Sequence, residues 1–108
     1  MGVVVSRFEV YLTRLDPAVG REMKKIRPTV VISPDEMNVS LGTVIIAPLT
    51  TKGFDAPSRV PVRFAGREGK VVLDQIRTVD KSRLLKKVGL LDGDASGRIS
   101  AALIRMFS

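Results

Sequence analysis

The 108-residue chain contains no cysteine, no histidine and no tryptophan. Without cysteine there is no disulfide, no thiolate nucleophile and no cysteine-based metal centre. Without histidine the commonest general base and the commonest zinc ligand are missing, so catalysis would fall to Asp, Glu, Lys, Arg, Tyr, Ser or Thr. No metal site and no cofactor are expected. Aromatics are scarce: Phe8, Tyr11, Phe54, Phe64 and Phe107 are too scattered for a base-stacking platform. Apolar runs stop well short of the roughly 20 residues that span a bilayer, and Val3-Val4-Val5 has neither the length nor the cleavage pattern of a signal peptide. These absences lead to the expectation of a soluble, cytoplasmic protein without membrane association.

Acidic residues are in the minority, 11 against 18 Lys and Arg, for a net charge of +7. That excess favours a polyanionic partner through phosphate neutralisation and counterion release. Nucleic acid is the first candidate and an acidic protein segment the second. No repeat, linker or low-complexity stretch interrupts the chain, so residues 1–108 are expected to form a single domain.

Period-two alternation over residues 7–14 predicts a strand with Phe8, Val10 and Leu12 on one face. Pro28 suits the first residue of a second strand over 29–32, buried on both faces, and stiffens Arg27 before it. Ser33-Pro34 reads as the capped start of one helical turn. Residues 43–49, the most apolar stretch, predict a central third strand. Arg59–Phe64 alternates around Pro61, an edge or bulge residue. Residues 65–69 read as a turn with Gly66 and Gly69 at positive φ, and a strand returns over 70–78. Asp80 would cap a short helix over 81–87, ended by Gly89. From Asp94, Ile99, Ala102, Leu103 and Met106 form the apolar face of a last helix. Together these predict a mainly β fold of five or so short strands, bent into a small barrel, with a C-terminal helix.

Three places carry candidate chemistry: residues 22–27, residues 50–52, and Asp74 with Arg77 on the strand after the hairpin. If the second and third strands are antiparallel neighbours, Arg27 and Thr50 meet at one end of the sheet. A guanidinium and a hydroxyl there could hold a phosphate, with Glu22 or Asp74 taking a proton. Asp74 could equally be an ion-pair partner of Arg77 or Arg83. Arg67 and Lys70 read as a solvated basic turn. Phe54, in the loop after Thr51, could stack a base beside a phosphate site.

The order Gly20-Arg21-Glu22, Lys25-Ile26-Arg27-Pro28-Thr29-Val30-Val31-Ile32-Ser33, Asn38, Ala47-Pro48-Leu49-Thr50-Thr51 and Asp74-Gln75-Ile76-Arg77-Thr78-Val79-Asp80-Lys81-Ser82-Arg83-Leu84 resembles the MazF/PemK/Kid family of toxins from bacterial toxin–antitoxin modules. The resemblance spans nearly the whole chain. It implies an SH3-like small barrel of the PemK/MazF/CcdB type, a homodimer, and metal-independent cleavage of single-stranded RNA, often mRNA, at short sequences. It further implies a cognate antitoxin whose acidic, disordered segment folds along the RNA groove. Carried over by residue, Arg27 is the phosphate-binding, transition-state-stabilising arginine and Thr50 its hydroxyl partner. Glu22 matches the glutamate of the first loop, and Asp74 sits where Kid-like members place a proposed catalytic aspartate. Those members carry an arginine two residues before the aspartate, where this chain has Val72, so Asp74 ranks below Arg27 and Thr50. Lys24, Lys25, Thr51, Lys52, Phe54 and Arg77 are the expected RNA contacts.

The chemistry suits a protein with so few catalytic side-chain types. Attack by the RNA's own 2′-hydroxyl is intramolecular, and the protein has only to orient the phosphate, accept one proton and stabilise charge. Gyrase-poisoning toxins share the implied fold, but their resemblance places essential residues in a tryptophan-containing tail, and this chain ends Met106-Phe107-Ser108. A non-catalytic nucleic-acid-binding barrel is the other alternative.

Overall fold

The computed structural model describes residues 4–15 and 25–108. Its strands are β1 (Glu9–Arg14), β2 (Ile26–Val31), β3 (Thr43–Thr50), β4 (Arg59–Phe64), β5 (Arg67–Val72), β6 (Arg77–Asp80) and β7 (Leu84–Leu90). Two helices accompany them, α1 (Asp35–Ser40) after β2 and α2 (Gly93–Met106) at the C-terminus. The strands form one antiparallel sheet in the order β4-β5-β3-β2-β1-β7, and β6 pairs with β3 off that path.

The architecture is the expected one, with more strands. The strand anticipated over 70–78 is broken by a 3-10 turn, Leu73–Gln75, so that β5 and β6 pair with different parts of β3. The helix anticipated over 81–87 is mostly strand. Asp80 does cap, accepting from the Ser82 N–H at 2.9 Å, but only the 3-10 turn Lys81–Arg83 follows. Beyond it the backbone pairs with β1 as β7, because ladder bonds along an open edge outweigh a local helical preference. Turn chemistry also differs: within residues 65–69 the positive φ falls on Ala65 and Gly66, and Gly69 lies inside β5.

Pro48 sits in the middle of β3 because that strand changes partner there. Thr43 to Ile46 pair with β6, and Leu49 and Thr50 pair with β5, so the missing N–H falls between two ladders. Pro28 is inside β2 rather than at its start, opposite Leu12, at a point where the β2–β3 ladder has not yet begun. Gly89 explains how the bent sheet closes. The Phe64 ring at the end of β4 lies across it, 2.6 Å from where a Cβ would stand, so the two outer strands meet without hydrogen bonds.

Both faces of the inner strands are covered. On one side Val10, Val30, Ala47, Val71 and Leu73 pack with Ile99 and Ala102 of α2, whose apolar face is the expected one. On the other, Tyr11, Val31, Val44, Ile46 and Val79 form a second cluster. The single buried face anticipated for β1 is therefore two, and Phe8 stands before the strand at φ 71°. Burial on the second face forces its polar groups to pair. Thr13 and Thr29 share a hydroxyl bond of 2.7 Å. Ser33, rather than capping α1, donates to Asn38 Oδ1 at 2.5 Å and accepts from the Ile45 N–H.

Glu9 is a buried carboxylate, and three neighbours satisfy it. Its carboxylate meets Lys87 Nζ at 2.6 Å and accepts from the Ser6 N–H at 2.7 Å and the Tyr11 hydroxyl at 3.1 Å. Burial raises its pKa, but the bonds to Lys87, Ser6 and Tyr11 outweigh that and leave it below the usual carboxylate range. The Tyr11 phenol is pushed up to about 12 by its own burial and by the Glu9 charge. Between the depressed folded pKa and the ordinary value of about 4.3, the unfolded chain binds a proton that the folded chain does not, so stability rises with pH there. It is lost again as pH falls through the folded value. Glu9→Gln is expected to flatten that acid limb and to cost about 1–3 kcal/mol at neutral pH, measured by urea denaturation from pH 3 to 7.

Candidate active site

The β2–β3 register pairs Thr29 with Pro48. Arg27 lies two residues before that pair on β2 and Thr50 two residues after it on β3, and both line one cleft of about 320 Å³ with Lys52, Gly53, Arg59 and Gln75. The juxtaposition anticipated from strand polarity is therefore present. Arg27 is exposed, stiffened by the proline after it, and no described carboxylate pairs with it. Thr50 Oγ1 accepts from the Lys52 N–H at 3.1 Å, which leaves the hydroxyl proton free to donate into the cleft. No carboxylate stands among the described residues that line it.

Arg59 is the cleft cation that sequence reading passed over. In sequence it is one of the charged residues on the polar side of an alternating strand. Its position is decided by pairing, since it stands directly across the β4–β5 ladder from Val72. The only sequence signal was indirect: the resemblance placed an arginine at position 72, where this chain has valine, and Arg59 pairs with that position. Its guanidinium bonds to both oxygens of Asp74, Nε to Oδ1 at 3.2 Å and Nη2 to Oδ2 at 3.1 Å.

Asp74 lies in the 3-10 turn rather than on a strand, and its ion-pair partner is Arg59, neither Arg77 nor Arg83. The hydrogen bonds from Arg59 hold its carboxyl below the usual range against the opposing effect of desolvation, with a further bond from Ser58 Oγ at 2.9 Å helping. It is not part of the cleft lining.

The loop between β3 and β4 is braced around this pair. Lys70 Nζ meets Asp55 at 3.1 Å, and the Arg59 N–H closes a turn onto the Ala56 carbonyl at 2.9 Å. Phe54 lays one face on the Arg59 guanidinium, 4.1 Å from its centroid, and is 65% exposed on the other side. Thr51 borders a neighbouring apolar groove beside Pro28, Phe64 and Val88. Arg77 is exposed outside the cleft, donating to the Leu15 carbonyl at 2.9 Å. Lys25 is exposed, and its carbonyl accepts from the Leu15 N–H at 2.9 Å. Glu22 and Lys24 lie outside the described residues. Among the described residues no group of His, Cys, Asp or Glu is placed to hold a metal ion, and no helix is long and apolar enough to cross a membrane.

Residues 6–107 match the family model described as PemK-like, MazF-like toxin of type II toxin-antitoxin systems. The chain belongs to the PemK/MazF toxin family. One relative, the protein named endoribonuclease EndoA of Bacillus subtilis, is 36% identical over 107 residues, covering 94% of this chain and 92% of its own. Among solved structures, MazF in a MazE–MazF crystal of Deinococcus radiodurans superposes with a TM-score of 0.83 at 23% identity, covering 98% of this chain and 97% of that one. An endoribonuclease in complex with its cognate antitoxin from a mycobacterial species gives 0.81 at 23%, covering 95% and 94%. At that identity the likeness establishes the PemK/MazF fold, a bent β-sheet with one C-terminal helix.

Within this PemK/MazF cleft, Gly53 leaves little room for a side chain. Its φ is +108°, and a Cβ would stand 3.0 Å from Arg59 Nη1. Gly53→Ala is expected to lower stability by about 1–2 kcal/mol and to displace the Arg59 guanidinium from Asp74, checked by denaturation and by the crystal structure of the variant.

Proposed function

We propose that the protein is a sequence-selective, metal-independent endoribonuclease toxin that cleaves single-stranded RNA. It acts in the cytoplasm as a homodimer and is neutralised by a cognate antitoxin with an acidic, disordered segment. The observation that carries the reading is the pairing of Arg27 with Thr50 in a cation-lined cleft. Membership of a toxin family, and 36% identity to a protein named endoribonuclease, support it.

In this mechanism the RNA's 2′-oxygen attacks the adjacent phosphorus and its proton passes to a carboxylate. The bond from phosphorus to the 5′-oxygen breaks, and that oxygen takes a proton from water. The ends are a 2′,3′-cyclic phosphate and a 5′-hydroxyl. Arg27 stabilises the charge gathering on the non-bridging oxygens, because a guanidinium stays protonated and can donate two parallel bonds. Thr50 donates its free proton to the same phosphate. Glu22 and Asp74 are the carboxylates considered for the proton. Asp74 is held below the usual carboxylate range by Arg59, which weakens it as a base. Lys25 and Lys52 would neutralise flanking phosphates. The net charge of +7 suits RNA and an acidic antitoxin alike, so salt should weaken both complexes.

The test is incubation with long single-stranded RNA in EDTA, mapping cut positions and end chemistry. Discrete cuts with the named ends are expected. Arg27→Ala should lower kcat by about 10²–10³-fold while the fold is retained, and Thr50→Ala should lower it less. Cleavage of DNA, or none of several RNAs cut by a folded protein, would overturn the reading in favour of a non-catalytic binder.

A further inference from the structure

We infer that Arg59 is a second phosphate-binding residue of the cleft and that Asp74 is its positioning residue. The inference rests on the reading of the cleft as an RNA site and adds a residue to it. Arg59 and Arg27 line the same cavity, with Thr50 and Lys52 between them in sequence and all four facing one space of about 320 Å³. The volume accommodates a phosphodiester and its flanking sugars rather than a single oxyanion.

The guanidinium is held on three sides. Asp74 takes the Nε and Nη2 edge, the Phe54 ring covers one face at 4.1 Å, and the Gly53 backbone lies close to Nη1. Only 11% of the Arg59 side chain is exposed, against 38% for Asp74. Among the described residues, its side-chain hydrogen bonds use Nε and Nη2, so the Nη1 donors are left beside Gly53, itself a lining residue of the cleft. An arginine already fixed in one rotamer loses little further freedom on meeting a phosphate, which is the condition for tight, oriented binding. The three-sided clamp thus preorganises the guanidinium as well as bracing the loop between β3 and β4.

Two consequences separate this role from the alternatives. If Asp74 orients Arg59, replacing it with asparagine removes a negative charge near the cleft while loosening the guanidinium. RNA binding should then hold or tighten as turnover falls. If Asp74 were instead the proton acceptor, its loss would remove the acidic limb of the pH–rate profile.

The experiment measures binding and cleavage separately on Arg59→Ala, Arg59→Lys and Asp74→Asn, with circular dichroism and melting as fold controls. Binding uses a single-stranded oligodeoxynucleotide, which carries the phosphates and lacks the 2′-hydroxyl, titrated from low to high salt. Arg59→Ala should flatten the plot of log affinity against log salt by about 0.7, the loss of one phosphate contact to a single strand, and cut kcat about tenfold or more. Arg59→Lys should restore the salt slope and leave kcat low, because an ammonium supplies charge without the planar fork. Asp74→Asn should lower kcat without weakening binding and keep the acidic limb. An unchanged salt slope and unchanged kcat in a folded Arg59→Ala would overturn the proposal, as would a lost acidic limb in Asp74→Asn. Should Arg59→Ala fail to fold, Arg59→Gln, which keeps the length and loses the charge, takes its place with the same criteria. If the wild type cuts no RNA, the salt-slope comparison still decides whether Arg59 binds phosphate, so the two readings fail separately.

Discussion

Thr29 faces Pro48 across β2 and β3, and that pairing governs how Arg27 and Thr50 come to share a cleft. A one-residue slip would turn Val30 and Val31 out of their two clusters and carry Arg27 away from Thr50. The register is therefore held by burial on both faces: Thr29, Val30 and Val31 are all inaccessible, and Ala47 and Ile46 opposite them are as well. The site inherits its geometry from the core. β3 extends this control, since it pairs with β2 along one edge and with β6 and then β5 along the other, handing over around Pro48. Thr50 at its end pairs with Lys70 of β5 and lines the cleft with Arg27 and Arg59.

Electrostatics sets a second constraint. Arg27, Lys52 and Arg59 share a cleft whose described lining has no carboxylate, an arrangement that repels itself until an anion arrives. The carboxylates that relieve it stand behind the lining, Asp74 on Arg59 and Asp55 on Lys70. They steady the loop between β3 and β4 without filling the cavity. Glu9 shows the opposite solution in the interior. There a buried charge is tolerated because Lys87, Ser6 and Tyr11 satisfy it completely, and it ties β1 to β7 at a point far from the cleft.

The fold was legible where the signal was local and strong. The apolar run of β3, the two-sided burial of β2 and the i, i+3 and i+4 spacing of Ile99, Ala102, Leu103 and Met106 all appear as read. It was illegible where an edge strand competed with a helix. Residues 81–87 hold a capping aspartate and a later glycine, which read as a helix, yet β1 offers them an open ladder. Gly89 looked like a helix terminator and is a seat for the Phe64 ring, contributed from a strand 25 residues away in sequence.

By itself the sequence determined the class of chemistry available, because the lack of cysteine and histidine and the excess of Lys and Arg are properties of composition and need no fold. It also determined that Arg27 stands beside a stiffening proline just ahead of a buried β-branched run and that Thr50 ends another strand, since proline stiffness and β-branched runs act over a few residues. Only the tertiary structure decided that Asp74 belongs to Arg59. Their meeting depends on the register of β4 against β5 and on the 3-10 turn that ends the hairpin. Such a contact joins residues distant in sequence through backbone pairing, and no local propensity encodes it.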